Sequence, residues 1–322
     1  MLKLFVLLAA LLAAPLTGAQ EAYPGKKQIT LVTPFPAGGG SDILTRVLAE
    51  SFRKILGTQV VVMNVAGAGG TIGSAQVARA APDGYTLLLV HIGMSTAPAL
   101  YKDLPFDPMK SFEHVGLYAE APKLVMGRKD FPPNNAQELV AYLRQQKDKV
   151  NFATAGVGSA GHLCALLLEE SLGVRFTQIQ YKGGAPAMLD VLGGRADLFC
   201  EIPPPLYAHI KSGALKAYMH ASEKRMTTLP EIPTSQEAGA NQFRMSVWYG
   251  LYAPLGTPKP IVERLSQALQ EAIKDPGAKT EMEKLGIVPF EPHQATPAAL
   301  KQHLQQQIDL WTPIIKKAGV AN

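Results

Sequence analysis

Three stretches of this chain set glycine and small hydroxyl residues just ahead of a helix start, and the chemistry such stretches do is anion binding. The first reads Pro34-Phe35-Pro36-Ala37-Gly38-Gly39-Gly40, then Ser41-Asp42 and an apolar-periodic run. Glycines let the backbone approach a ligand and turn its N–H groups toward it. The helix that follows adds unpaired N–H groups and a partial positive charge, so no basic side chain is needed. The second stretch runs from Asn64 through Gly69 and Gly70 to Thr71, and the third is Ala155-Gly156-Val157-Gly158-Ser159-Ala160-Gly161-His162. The first loop lacks the Lys of a phosphate-binding P-loop, and its spacing is not G-x-G-x-x-G. A small carboxylate is therefore the expected anion rather than a polyphosphate.

Each of these residues also has a plainer role open to it. Ser41 can cap a helix and bind at once, whereas Asp42 is expected to cap or to complement the helix dipole, because a second negative charge repels a carboxylate. Gly38 and Gly39 can simply turn the chain, although three glycines in a row exceed what one turn needs. Ser159 is an N-cap or a ligand contact, Thr71 a cap whose hydroxyl is free to donate, and His162 a helix-start residue with a smaller share as ligand or loop brace. Tyr181-Lys182-Gly183-Gly184 ends a later strand; Lys182 contacts an acid or points to solvent. Glu201 accepts from a ligand hydroxyl or amine, or only from a neighbouring backbone N–H. Trp248, Tyr249 and Tyr252 are core and hinge residues by default, with one of them a candidate cleft wall. No G-x-S-x-G elbow, no H-E-x-x-H and no Cys/His cluster of metal spacing occurs, and the seven histidines are scattered, so neither catalysis nor a cofactor is expected.

The elements that must position these loops alternate between strand and helix. Ile29 to Thr33, Gln59 to Met63 and Thr86 to Val90 read as buried strands, with helices starting near Ser41 and Thr71. That order predicts a parallel sheet with right-handed crossovers and a ligand at the strands' carboxyl ends, where both glycine loops fall. A similar series begins after Pro122. Strands are expected at Lys123–Gly127, Val150–Thr154, Thr177–Tyr181, Arg195–Cys200 and Leu215–Ala221, with helices at 135–145, from the third loop to Leu172, at 185–192 and at 206–211. Val247 to Tyr252 then returns to the first series, followed by helices at 258–273, 276–285 and 296–317. The reading is a two-lobed α/β chain: residues 20–121 and 247–322 in one lobe, 122–246 in the other, crossings acting as a hinge and a cleft between.

Composition bounds the setting. Lys3, the apolar run Leu4–Leu16 and Thr17-Gly18-Ala19 form an export signal over residues 1–19, cleaved near Ala19 so that the mature chain begins at Gln20. The run is too short for a membrane anchor. Loss of Lys3 lowers the formal charge from +5 to +4. That is mild, and no Lys/Arg cluster occurs, so nucleic acid is not an expected partner. The two cysteines, Cys164 and Cys200, suggest a disulfide in an exported chain, with two buried free thiols as the alternative.

PFPAGGGSD, AGAGGTIG, APDGYTLLL, GVGSAGHL, YKGGAPAMLDVLGGRADL, LPEIPTSQEAG and YGLYAPLGTP occur in this order behind the export signal. Taken together they resemble the Bug family of periplasmic solute receptors, which serve tripartite tricarboxylate transporters, over essentially the whole mature chain. The resemblance implies a type II periplasmic-binding-protein fold that closes on a carboxylate held from both lobes. The expected partner is a membrane permease and the expected state a monomer. It points to Phe35, Pro36, Ala37, Gly38, Gly39, Ser41 and Asp42, with Gly69 and Thr71 close by, and to Gly158, Ser159 and His162 from the other lobe. Tyr181 and Glu201 complete the expected set. After Glu201 the chain departs from many relatives: Pro203-Pro204-Pro205 removes three N–H donors. That departure implies an altered far end of the pocket and a bulkier or less polar ligand tail. The rivals are an exported α/β enzyme acting on an acid, and a sensor accessory that binds the same acid.

Overall fold

The computed structural model describes residues 23–319 apart from Gly39, Lys147, Lys182, Gly183, Pro204 and Pro205. The export signal with its cleavage point, and the expectations placed on Gly39, Lys182, Pro204 and Pro205, lie outside the described residues.

The alternation read from the sequence builds two sheets. The first series runs β1 (Ile29–Thr33), α1 (Gly40–Leu56), β2 (Val60–Asn64), a 3₁₀ turn (Ala68–Gly70), α2 (Thr71–Ala78), β3 (Thr86–His91), α3 (Gly93–Leu100) and β4 (Phe112–Pro122). The second runs β5 (Leu124–Arg128), α4 (Ala136–Gln146), β6 (Asn151–Thr154), α5 (Ala160–Leu172), β7 (Thr177–Gln180), α6 (Gly184–Leu192), β8 (Leu198–Glu201), α7 (Tyr207–Lys211) and β9 (Leu215–His220). The chain ends with β10 (Ser246–Pro254), α8 (Lys259–Lys274), α9 (Pro276–Lys284), β11 (Val288–Pro289) and α10 (Pro297–Ala318).

One sheet has the order β11-β4-β10-β3-β1-β2 and the other β7-β6-β8-β5-β9. β1 runs parallel to β2 and β3, as their helical crossovers require. The rest of that sheet is antiparallel: β10 pairs with β3 and β4, and β11 with β4. The sequence reading missed β4, α3 and β11, and so expected a more purely parallel sheet. In the second sheet β6 runs parallel to β7 and β8, and β5 antiparallel to β8 and β9.

Alternation along the second sheet's strands shows why it is covered on both faces. Val125, Phe152, Leu198 and Cys200 join the large core, while Leu124, Met126, Ala153 and Phe199 join a smaller one with Ala187 and Val191 of α6. Helix α8 has the opposite signature. It buries Val262, Leu265, Leu269 and Ile273, a single stripe, and carries Pro260 in its first turn.

The chain leaves the first sheet between β4 and β5 and returns between β9 and β10. The two crossings are laced at one point: Lys123 N donates to Met245 O at 2.9 Å, Met245 N to Ala221 O at 2.8 Å, and Ala221 N to Lys123 O at 2.8 Å. The crossings are thus joined backbone to backbone, and the two sheets also share the large core, with Lys317 of α10 pairing with Glu170 of α5 at 2.6 Å.

Candidate functional site

One helix from each sheet starts at a glycine loop. α1 follows β1 through the first glycine loop, and α5 follows β6 through the third. Beside the α5 terminus lies a cavity of about 370 Å³, lined from the first sheet's side by the Phe35 loop, His91 and the start of α3. Among the expected residues Phe35, Gly69, Gly158 and Ser159 line it, together with His91 and Tyr101, which the sequence reading did not single out.

The glycine loops are braced from within. Gly38, at φ +80°, has a backbone that favours glycine, and its N–H donates to Asp42 Oδ2 at 2.9 Å. Asp42 also accepts from Asn64 Nδ2 at 2.9 Å and from Arg46 Nε at 3.0 Å. Burial works to raise its pKa, but these bonds and the Arg46 charge win and hold it at about 2. Asn64 reaches on to Phe35 O at 3.0 Å, so the first two loops form one unit. Gly73 seals that unit: a Cβ there would meet Val65 O at 2.7 Å and Pro34 Cα at 3.1 Å.

The third loop repeats the device. Gly158 N donates to His162 Nδ1 at 3.0 Å, and His162 N donates to Ser159 Oγ at 3.2 Å, which caps α5. His162 is buried, and burial pushes its pKa down, so the ring is neutral with its proton on Nε2. The N–H groups of Gly38 and Gly158, expected to face a ligand, are thus already engaged inside their loops. Helical geometry leaves the first-turn N–H groups of α1 and α5 without intrahelical partners, and the start of α5, at Ser159 and Ala160, lines the cavity.

The remaining expected residues divide. Ser41 lies in the first turn of α1, with its Oγ 3.1 Å from the hydroxyl of Tyr249. Pro36 and Ala37 stand exposed at the loop tip. Thr71 is buried and donates its hydroxyl to Ala68 O at 2.9 Å. Tyr181 donates its hydroxyl to Asp190 Oδ2 at 2.7 Å, within its own lobe. Glu201 accepts from Lys123 Nζ at 2.6 Å and from Ile202 N at 2.8 Å. Cys164 of α5 and Cys200 of β8 form a disulfide that ties the helix to the strand ending at Glu201.

His91 is the main residue that sequence reasoning missed. It closes β3 and stacks on Phe35, ring centroids 4.1 Å apart. Gly93 N donates to its Nδ1 at 3.0 Å, which leaves Nε2–H as a donor at the cavity wall. Burial first, and the Lys123 charge second, lower its pKa to about 4. The signal was present in the sequence: a polar residue at the carboxyl end of a parallel strand. The expected strand stopped one residue short of it. Lys123, read as the start of a strand, is a buried cation at the lobe junction.

Histidines shielded from water also set an acid limit. Burial holds His91, His114 and His303 at about 4 in place of the ordinary 6.5. The unfolded chain takes up these protons as pH falls through 6.5, and the folded chain does so only near 4. Their contribution to stability is thus complete above pH 6.5 and is lost between 6.5 and 4. Urea unfolding at stepped pH should show stability falling across that window, with net proton uptake on unfolding. A flat profile from pH 7 to 4 would contradict the desolvation of these rings.

A model for the tripartite tricarboxylate transporter family receptor matches residues 44–320. The solved structure of the periplasmic binding protein BugD is 47% identical, covering 93% of this chain and 99% of its own, with a TM-score of 0.77. A UPF0065 protein from the TAR-I ttuE-ttuC' intergenic region of Agrobacterium vitis is 43% identical over 98% of this chain and 90% of its own length. MatC from Rhodopseudomonas palustris, solved with bound malate, is 36% identical, covering 89% of this chain and 98% of its own, with a TM-score of 0.75.

Proposed function

The chain belongs to the tripartite tricarboxylate transporter receptor family, and from that premise we propose that its cleft captures one small carboxylate from both sides and closes over it. It is an extracytoplasmic solute-binding receptor, not an enzyme. The observation that carries the proposal is one cavity lined from both sheets, by Phe35, Gly69 and His91 on one side and by Gly158, Ser159 and Ala160 at the start of α5 on the other. Hydrogen bonds to a charged group contribute roughly 1.5–3 kcal/mol each, and a partly buried helix terminus up to about 2 kcal/mol. Four or five such contacts, less ordering costs, reach a micromolar constant, about −8 kcal/mol.

In this reading the first turns of α1 and α5, Ser41, Ser159 and the Nε2–H of His91 donate to the carboxylate. Phe35, Gly69 and Gly158 shape the wall, and the 36–39 segment seats on the solute as the lobes close. Asp42, Thr71 and His162 hold the loops. Residues 20–121 with 247–322 move against 122–246 about the Lys123 junction, and solute shifts the open–closed equilibrium by its differential affinity. The closed monomer then docks on a tripartite-type permease. Export removes residues 1–19.

The test uses the secreted chain, its N-terminus read by mass spectrometry as Gln20, in a thermal-shift and calorimetric screen of aliphatic, amino and aromatic carboxylates. Ligand at 100 times its dissociation constant should stabilise the protein by about 2.7 kcal/mol. His91→Phe keeps the ring stack, removes the donor and should weaken binding roughly tenfold. Recovery of a chemically altered acid would favour the enzyme rival, and silence across the panel would remove the carboxylate reading.

A further inference from the structure

We propose that Glu201 reads a hydrogen-bond donor on the solute, so that the receptor selects carboxylates bearing an amino or hydroxyl group over the same acids without one. This rests on the receptor reading and adds the second group that the solute must carry.

Among the described residues the side chain is held at one oxygen only. Oε1 takes Lys123 Nζ at 2.6 Å and the Ile202 N–H at 2.8 Å. Oε2 has no hydrogen-bond partner among the described residues and lies over the start of α6, 3.0 Å from where a Cβ on Gly184 would stand. A side chain at position 184 would crowd this oxygen, and glycine leaves it clear. The Lys123 side chain is 3% exposed and that of Glu201 27%, so the cation is sealed in the lobe junction while the carboxylate is not.

The residue after Glu201 approaches the other lobe. Ile202 Cδ1 comes within 3.9 Å of a Cβ placed on Gly40, the first residue of α1. The Glu201 charge is felt at the hydroxyl of Tyr249, whose pKa burial pushes up to about 12 and which pairs with Ser41. On this proposal the α1 N-terminus with Ser41 supplies donors, and Glu201, whose charge reaches Ser41's partner Tyr249, supplies the acceptor for a second group on the solute. An ionised carboxylate only accepts, so it attracts an ammonium or hydroxyl and repels a second carboxylate brought to the same place. Lys123 orients it and offsets the cost of keeping its charge at the junction. With both oxygens engaged the pair would be no more than a clasp between β5 and β8.

The experiment is calorimetric titration of the mature receptor with matched acids: succinate, malate and aspartate; glutarate and glutamate; phenylacetate and mandelate. Within each set that binds, the amino or hydroxy acid should bind roughly tenfold to a hundredfold more tightly than its parent, the range for a hydrogen bond to a charged group. Glu201→Gln should shrink that ratio below about threefold. The double variant Lys123→Met with Glu201→Leu removes the pair without stranding a charge and should do the same. Parent acids binding as well as their substituted forms, or a ratio unchanged in both variants, would overturn the assignment and leave the receptor reading intact. Failure of every acid in the panel would overturn both.

Discussion

Replacing Cys164 and Cys200 together by Ala is expected to lower the melting temperature by roughly 10 °C. The bridge joins residues 36 apart in sequence, and closing a loop of that length removes about 3–4 kcal/mol of chain entropy from the unfolded state. In a chain of this size each kcal/mol moves the midpoint by roughly 2–4 °C. Both cysteines are buried, at 0% and 2% exposure, so the Ala pair leaves only small voids and the entropic loss dominates. The measurement is calorimetry of the variant beside the wild type with and without reductant; reduced wild type should melt close to the variant. Coincidence of oxidised and reduced midpoints would show that the bridge adds nothing. Solute affinity should fall too, because the bridge anchors the cleft helix α5 to the strand carrying Glu201.

The second large effect is expected at the lobe junction. Glu201→Ala leaves the Lys123 ammonium without its carboxylate, on a side chain that is 3% exposed. Breaking a buried pair by removing one partner costs about 3–5 kcal/mol. The lower end applies here, since Glu201 itself is 27% exposed and part of its field is screened. Adding Lys123→Met should restore stability to within about 1 kcal/mol of wild type, because well-packed apolar replacements of buried pairs are close to neutral. Chemical denaturation of the four proteins of this cycle gives the coupling directly. A loss below about 1 kcal/mol in Glu201→Ala would mean that the ammonium finds other acceptors, and that the pair does not hold the junction.

Local chemistry was legible where a residue's role depends on its neighbours along the chain. The β1–loop–α1 unit, the capping of α5 by Ser159 and the parallel crossovers around β1 all follow from glycine placement and apolar runs within about a dozen residues. The loss of β4 from the sequence reading has an equally local cause. Phe112–Pro122 contains His114, Gly116 and two Glu residues, which blur its apolar pattern, and it becomes a strand because β10 pairs along its full length.

The destination of each polar group was a different matter. Gly38 N–H turns to Asp42 and Gly158 N–H to His162, a choice made by side chains four residues on once the loop has closed. Tyr181 turns to Asp190, and Tyr249 reaches Ser41 across 208 positions. Lys123 meets Glu201 from 78 positions away. Nothing in the spacing of such residues records these pairings.

By itself, then, the sequence determined the alternation of strands and helices, the three loops and the kind of anion they suit, because hydrophobic periodicity and glycine freedom act over a few residues. Only the tertiary structure decided which loop N–H groups are already engaged, that His91 and Tyr101 line the cavity, and that a buried cation lies where the chain crosses between the sheets. Those outcomes depend on which groups burial brings within hydrogen-bonding distance. A buried polar group must find a partner wherever the fold places one, whatever its distance along the chain.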